Sequence, residues 1–329
     1  LLFVGTFLIP TYDNNINHLR VYCEMPKLMV TGGNGFIGSH LIDALVEKNY
    51  DVINFSKGLP KYNLLSKVSF VSGDILDFDN LEEIINNVEG VVHLAAISRV
   101  KGGYADPTKC MKTNIIGTMN VLEAIRKSEN KPWLILGSSL ESQWKQISSN
   151  IGNFNIPDNI YGLTKFVNEL SARQYVKDYD MRAIILRIGY VYGSKRDKLD
   201  KAFYKIINSC INNNEVEIST NKKFGFIYYT DLINNILSSI KFAEKLDLNK
   251  GYCGIFHLAP EERITLKDLS KVIMDVTCSE PKITFGIPKE SVSDIYFFDE
   301  REIKKIKGFD LEIDLKKGIS KFIKELKGK

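Results

Sequence analysis

The chain has 329 residues, 44% of them hydrophobic and 26% charged, with a formal net charge of +4. That is enough apolar sequence to bury one large or two medium cores, and it excludes a disordered chain. The positive charge is spread out except for a lysine cluster after Lys304, which fits solvated helix faces better than a nucleic-acid surface. Five cysteines, Cys23, Cys110, Cys210, Cys253 and Cys278, form no Cys-x-x-Cys and point to reduced thiols in a cytoplasmic protein. His18, His40, His93 and His257 lack the spacing of metal ligands, so no metal site is expected.

Residues Leu1 to Pro10 are apolar, but the run is far shorter than the ~20 residues that span a bilayer. It has no basic segment or small-residue cleavage site, so neither a membrane partner nor a secretory signal is expected. Leu1 to Glu24 reads as an extension outside the fold. Met25 stands just before the first predicted strand, Leu28 to Thr31. There follows the turn Thr31-Gly32-Gly33-Asn34-Gly35-Phe36-Ile37-Gly38, and then apolar residues at Phe36, Ile37, Leu41, Ile42, Leu45 and Val46, a helical spacing that runs to Lys48. Glycines between a strand and a helix permit a tight turn and let a pyrophosphate approach the helix N-terminus, whose free N–H groups favour an anion. The plainer alternative is a turn that needs glycine for its backbone angles. The spacing of Gly32, Gly35 and Gly38 also departs from the commoner Gly-x-Gly-x-x-Gly.

The second strand, Asp51 to Phe55, leads into Ser56-Lys57-Gly58. In a dinucleotide fold an acid at this strand end accepts from the adenosine ribose of NAD, whereas a basic residue accommodates the extra phosphate of NADP. Ser56 in place of the acid and Lys57 beside it favour NADP(H), with NAD as the alternative if Lys57 is only a solvated turn lysine. Further strands are expected at Val68 to Ser72, Gly90 to Ala95, Trp133 to Gly137 and Ala183 to Ile188, with helical patterns between them. This alternation predicts an α/β fold with a doubly wound parallel sheet. Beyond Tyr192 the pattern becomes mixed, with a helix from Lys201 to Asn212, a strand from Glu215 to Ser219 and a helix from Asp231 to Lys241. The expected division is a sheet domain over 25–190 and a smaller C-terminal substrate lobe over 191–329, some of whose segments return to the first domain.

Tyr161 and Lys165 fall four residues apart in Tyr161-Gly162-Leu163-Thr164-Lys165. On a helix they share a face, so the ammonium can stabilise a phenolate and make a group with a reference pKa of ~10 usable as an acid/base near neutrality. Any amphipathic helix can match such a spacing by chance; the glycine turn upstream is what raises its weight.

Taken together and in order, these segments resemble the extended branch of the short-chain dehydrogenase/reductase superfamily, the nucleotide-sugar epimerases, dehydratases and reductases, from about Met25 to the C-terminus. Thr31, Gly32, Gly35 and Gly38 match its Thr-Gly-x-x-Gly-x-x-Gly turn. The resemblance implies a Rossmann sheet, with Asp74 and its neighbour Ile75 at the adenine and Leu94, Ala95 and Ala96 beneath the cofactor. It also places Asn114 on a helix at the site and the catalytic serine at Ser139. Leu186-Arg187-Ile188-Gly189-Tyr190-Val191-Tyr192-Gly193 and Phe226-Ile227-Tyr228-Tyr229-Thr230-Asp231 resemble two later family segments.

The resemblance implies that Tyr161 exchanges a proton with the substrate, that Lys165 holds ribose hydroxyls and lowers the tyrosine pKa, and that Ser139 hydrogen-bonds the reacting oxygen. Alone, Ser139 would read as a strand-end hydroxyl satisfying nearby backbone. Glu141 occupies the place of a dehydratase glutamate, but Leu140 fills the neighbouring aspartate position, which disfavours a dehydratase and leaves Glu141 as a second acid/base or a loop carboxylate. Tyr190 and Phe224 replace residues that in relatives meet the nucleotide, and Ser194 replaces the usual proline after the glycine, all three departures touching substrate recognition, with Lys222 or Lys223 as substitute cations; Arg99 and Lys101 are either phosphate contacts or solvated charges. His93 reads as a packed residue at a sheet edge. The expected activity is hydride transfer at a carbinol or ketone carbon of a nucleotide sugar, by a 4-keto sugar reductase or 4-epimerase. A reductase of a non-nucleotide carbonyl compound and a non-catalytic NADP-binding regulator are the alternatives. The helices that follow Asn114 and Tyr161 resemble those through which the family pairs, so a homodimer is expected.

Overall fold

The computed structural model describes residues 26–60, 68–143, 145–149, 152–218, 220, 222–286 and 310–328. The proposed extension Leu1 to Glu24 therefore lies outside the described residues. In chain order the first half contains β1 (Lys27–Thr31), α1 (Phe36–Glu47), β2 (Asp51–Ser56), β3 (Val68–Ser72), α2 (Phe78–Ile85), β4 (Gly90–His93), α3 (Val100–Ala105), α4 (Pro107–Met111), α5 (Gly117–Lys127) and β5 (Trp133–Ser139). A hairpin, β6 (Lys145–Ser149) and β7 (Gly152–Ile156), leads to α6 (Ile160–Tyr179), β8 (Arg182–Ile188) and β9 (Tyr190–Tyr192). The remainder is α7 (Ala202–Asn212), β10 (Val216–Ile218), β11 (Lys223–Phe224), β12 (Phe226–Tyr228), α8 (Tyr229–Ala243), β13 (Tyr252–Leu258), β14 (Ile264–Thr265), α9 (Leu266–Thr277), β15 (Ile283–Phe285) and α10 (Leu315–Leu326).

Seven strands form one sheet in the order β13-β8-β5-β4-β1-β2-β3, with every neighbouring pair parallel. Parallel strands need crossovers, and the helices that supply them cover both faces. On one face α1 and α8 bury Leu41, Ile42, Leu45, Leu232, Ile236 and Ile240 against the sheet. On the other, α2, α5 and α6 bury Leu81, Ile85, Val121, Ile125, Ala172 and Val176. The strand order reverses at β1, which lies between β4 and β2, so the connections leaving β1 and β4 diverge and open a crevice beyond their C-terminal ends. A third cluster, built on Tyr192, Phe203, Phe226, Leu269 and Phe322, forms the core of the second lobe and closes the far side of that crevice.

The six expected strands of the sheet are all present, and α7 starts one residue later than expected. β13 is the strand that the sequence pattern did not signal. Gly254 interrupts its β-formers, yet it pairs in full register with β8 from Tyr252↔Arg182 to Leu258↔Ile188. It carries the C-terminal half of the chain back into the main sheet, as α8 does through the shared core. His93 is not at a sheet edge: β4 is the middle strand, flanked by β1 and β5. Among the described residues no helix is long and apolar enough to cross a membrane.

Candidate active site

One cavity of about 840 Å³ runs along the crevice, from the glycine turn and the end of β2 past the ends of β4 and β5 to the second lobe. Gly32 has φ +73°, and a Cβ there would stand 2.8 Å from the Ala95 backbone; the turn must be glycine for its angle and for the loop that passes beside it. A Cβ on Gly38 would come within 2.4 Å of the Gly32 carbonyl oxygen. Gly35 caps α1 without a side-chain hydrogen bond, and the first turn of α1 carries no acid. The helix N-terminus is thus open to an anion, with its dipole unopposed. The turn is braced from behind, where the Asn34 amide donates to Ser56 Oγ at 3.1 Å and its side chain to the Gly58 carbonyl at 2.9 Å. Gly32, Gly35, Phe36, Ile37, Gly38, Ser56, Lys57, Ile75, Leu94, Ala95 and Ala96 all line the cavity, so the cradle fits a dinucleotide.

Tyr161, Lys165, Ser139 and Glu141 meet midway along the cavity. Asn159 caps α6 by accepting from Gly162 N at 2.9 Å, which starts the helix just ahead of Tyr161 and is worth about 1 kcal/mol. Ser139 ends β5, and its Oγ accepts from the Glu141 N–H at 3.2 Å, leaving its proton free for the Tyr161 phenol, whose pKa Ser139 lowers. Burial is the main influence on that phenol, which stands at about 12, raised further by the Glu141 charge and lowered by the Ser139 hydrogen bond. Burial likewise pushes the Lys165 ammonium down to about 8, with Glu169 opposing. Lys165 Nζ donates to the Gly137 carbonyl oxygen at 2.7 Å. The phenol is therefore not depressed in this structure as the helical spacing implied, because burial dominates and the side chains acting on it are Ser139, Glu141 and Cys110, not Lys165.

The cations of the second lobe are mostly engaged. Lys222 lies 2.6 and 2.9 Å from the two carboxylate oxygens of Glu141, which also accepts from Asn159 Nδ2 at 2.9 Å. Neither Lys222 nor Glu141 is an unattached loop charge. Arg99 pairs with Asp200 at 2.7 Å and Arg196 with Asp43 at 2.7 Å, while Lys101, 82% exposed, lies 3.6 Å from the same Asp200 carboxylate. Lys201, paired with Asp197 at 2.6 Å, sits over the rings of Phe36 and Tyr190 and so joins the glycine-turn helix to the second lobe. Tyr190 and Phe224 meet edge-on at 5.5 Å and form an apolar stretch of wall.

Two expected cofactor residues, Asn114 and Asp74, stand differently. Asn114 does not line the cavity: its side chain accepts from Ile97 N at 2.8 Å and donates to Ile97 O and to Thr164 Oγ1, clamping the loop after β4 to α6. Asp74 is not in the cavity wall either, and its carboxylate is 2.6 Å from Lys57 Nζ, the charge reserved in the sequence reading for an NADP phosphate. His93 is a buried relay. Thr31 Oγ1, which accepts from the Ala95 amide, lies 2.7 Å from Nδ1, and Thr118 Oγ1 lies 3.0 Å from Nε2. Burial holds its pKa at about 3, so it is neutral and structural.

Sequence reasoning missed Glu169 and Arg187. Glu169, 2% exposed, accepts from Arg187 at 2.6 Å and from Ser142 at 2.7 Å directly beneath Ser139. Removing either charge alone would strand the other in the interior at a cost of about 3–5 kcal/mol. The available signal was the spacing of Tyr161, Lys165 and Glu169 along one helix face.

The sequence profile described as the NAD dependent epimerase/dehydratase family matches residues 28–251. A putative UDP-glucose 4-epimerase of Methanocaldococcus jannaschii is 30% identical over 312 residues, which cover 91% of this chain and 98% of that protein. Two solved structures superpose over nearly the whole chain. The UDP-glucose 4-epimerase of Thermotoga maritima, with UDP-glucose, has a TM-score of 0.77 and 24% identity, covering 92% of this chain and 99% of its own. The UDP-glucuronic acid 4-epimerase of Bacillus cereus, in complex with UDP-glucuronic acid and NAD, has a TM-score of 0.72 and 25% identity, covering 91% and 99%. With profile, relative and fold in agreement, the chain belongs to the NAD-dependent epimerase/dehydratase family of extended short-chain dehydrogenases/reductases.

Proposed function

We propose that the protein is a 4-epimerase of a nucleoside-diphosphate hexose, working with a nicotinamide dinucleotide in the same cavity. The observation that carries this reading is the convergence of Ser139, Tyr161 and Lys165 on one cavity continuous with the glycine turn. When bound, the oxidised nicotinamide would take hydride from the sugar carbon as the hydroxyl is oxidised to the ketone, and return it to the other face of that carbon. Tyr161, in its phenolate form, takes the hydroxyl proton as the carbinol is oxidised and returns it as the ketone is reduced, Ser139 orients the oxygen, and Lys165 holds the ribose hydroxyls. The wall is rich in Lys and Arg, ten residues against two carboxylates, which suits an anionic nucleotide. Leu140 offers no proton donor for loss of water. The free thiols Cys110, Cys210, Cys253 and Cys278 suit a cytoplasmic setting.

Incubation with UDP-glucose and NAD should yield the 4-epimer with no net accumulation of reduced cofactor. A second reading, an NADPH-dependent 4-keto sugar reductase, is favoured by Lys57 on the cavity wall. Stoichiometric NADPH consumption with a 4-keto nucleotide sugar, and no epimer from UDP-glucose, would replace the first reading by the second.

The Lys57–Asp74 pair bears on the same choice, because a lysine already paired with a carboxylate offers little net charge to a phosphate. NAD is therefore expected to bind at least as tightly as NADP in parallel low-salt titrations. Lys57→Ala should alter either affinity by less than about fivefold, the range of an exposed ion pair. A tenfold preference for NADP that disappears in Lys57→Ala would reverse the cofactor assignment.

Met111, Ile116 and Leu170 are 40%, 50% and 50% exposed on the α4–α5 segment and on α6, and we assign them to a homodimer contact. Light scattering should report a dimer at micromolar concentration and a monomer for the double variant Ile116→Glu/Leu170→Glu. A monomeric parent protein under those conditions would remove the assignment.

A further inference from the structure

The chemistry assigned to Tyr161, Lys165 and Ser139 makes no use of the charged pair beneath them. Glu169 lies one helical turn beyond Lys165 and is buried to 2% exposure. Its carboxylate accepts from Ser138 Oγ, from Ser142 Oγ at 2.7 Å, from Arg187 Nε at 3.0 and 3.1 Å and from Arg187 Nη2 at 2.6 Å. Arg187 is in turn 3.4 Å from His257 Nε2 on β13. Three elements of the sheet layer, β5, β8 and β13, are thereby tied to α6 at one point. A buried ion pair contributes little to stability beyond what a packed apolar pair would supply, so stability does not explain its presence. Its placement offers a better account. Ser138 and Ser142 bracket the segment Ser139 to Glu141, and Ser142 Oγ also lies 2.7 Å from the Ser139 carbonyl oxygen. The carboxylate thus grips both ends of the turn that presents Ser139 to Tyr161.

We propose that Glu169 is a positioning residue of this site: its carboxylate, clamped by Arg187, holds the Ser138–Ser142 turn in register with Tyr161 and supplies the negative charge facing the Lys165 ammonium. The proposal rests on the roles given above to Tyr161 and Lys165. The titratable groups acting with Lys165 are Glu169 on α6, Cys110 on α4 and His93 on β4, and its Nζ donates to the Gly137 carbonyl on β5. His93 is neutral, and burial raises the Cys110 thiol, so that near neutral pH Glu169 is the anion acting on the ammonium.

Three variants test it: Glu169→Gln, which keeps the shape and loses the charge; Glu169→Asp, which keeps the charge and shortens the reach; and Glu169→Gln/Arg187→Gln, which leaves no unpaired buried charge and so keeps the fold if the first variant does not. Cofactor binding is followed by NADH fluorescence from about pH 6 to about pH 10, without sugar, and kcat and KM with UDP-glucose over the same range. In the parent protein, affinity should fall as pH rises through about 8, where Lys165 loses its proton. Both Gln variants should move that fall about one pH unit lower. Their kcat should drop about tenfold or more from misplacement of Ser139, with KM little changed. Glu169→Asp should keep the midpoint at the parental pH and lose only kcat. A merely structural role would lower amplitudes without moving the midpoint. An unmoved midpoint in the Gln variants, or the same shift in Glu169→Asp, overturns the proposal. Because the cofactor titration needs no sugar, failure to turn over UDP-glucose would count against the epimerase reading and leave this test intact.

Discussion

Tyr161→Phe should reduce kcat by about 10²–10⁴-fold, the usual contribution of a positioned proton-transfer group, while cofactor affinity stays near that of the parent. Gly103 packs against the backbone and Cβ of Tyr161, which Phe keeps along with the ring, so packing at the start of α6 is preserved and only the transferable proton is lost. The phenol stands at about 12 because burial dominates, and Ser139 is the neighbour whose hydrogen bond opposes that rise. Ser139→Ala is therefore expected to weaken the acid/base function further by removing the donor. The decisive measurement is single-turnover kinetics with saturating cofactor. A Tyr161→Phe protein that turns over at near-parental rate would show that the proton travels by another group, and the proposed chemistry would have to be abandoned.

Lys165→Met should lower both cofactor affinity and kcat, because the ammonium is aimed into the cavity from a helix that otherwise buries it. Its side chain is 6% exposed and donates to the Gly137 carbonyl at 2.7 Å. Met fills nearly the same volume, so packing loss is small. The sign of the pH dependence follows from the ammonium standing at about 8, below its ordinary range, owing first to burial. It is charged below that pH and neutral above it. Parental cofactor affinity should accordingly fall as pH rises through about 8, and the Lys165→Met titration should be flat there at a lower affinity. A variant that retains the parental pH dependence would show that another group titrates, and Lys165 would lose its assigned role.

Much of this protein is determined by its sequence alone, because the relevant signals are local. Thr31 to Gly38 specify a strand-to-helix turn through backbone angles and close approaches that only glycine tolerates, and Gly32 meets both demands in the fold. Tyr161 and Lys165 share a helix face because of α-helical periodicity, whatever that helix packs against. The short, nearly continuous apolar runs of β1, β2, β4, β5 and β8, buried along almost their whole length, likewise need no partner to be recognised.

What tertiary structure decided is which charge meets which. Glu141 and Lys222 are 81 residues apart, and no periodicity links them; only the docking of the second lobe places the lysine on the carboxylate. Lys57 is spent on Asp74 because β2 and β3 are adjacent parallel strands whose following loops emerge together. Asn114 turns away from the cavity because the loop after β4 leaves both backbone groups of Ile97 to be satisfied, and a side-chain amide can satisfy both at once. β13 becomes a strand despite Gly254 because β8 presents an open parallel edge, and His93 becomes central because β4 is inserted between β1 and β5. In each case the partner is distant in sequence, and the energy that selects it, from burial and from satisfying buried polar groups, exists only once the chain has folded.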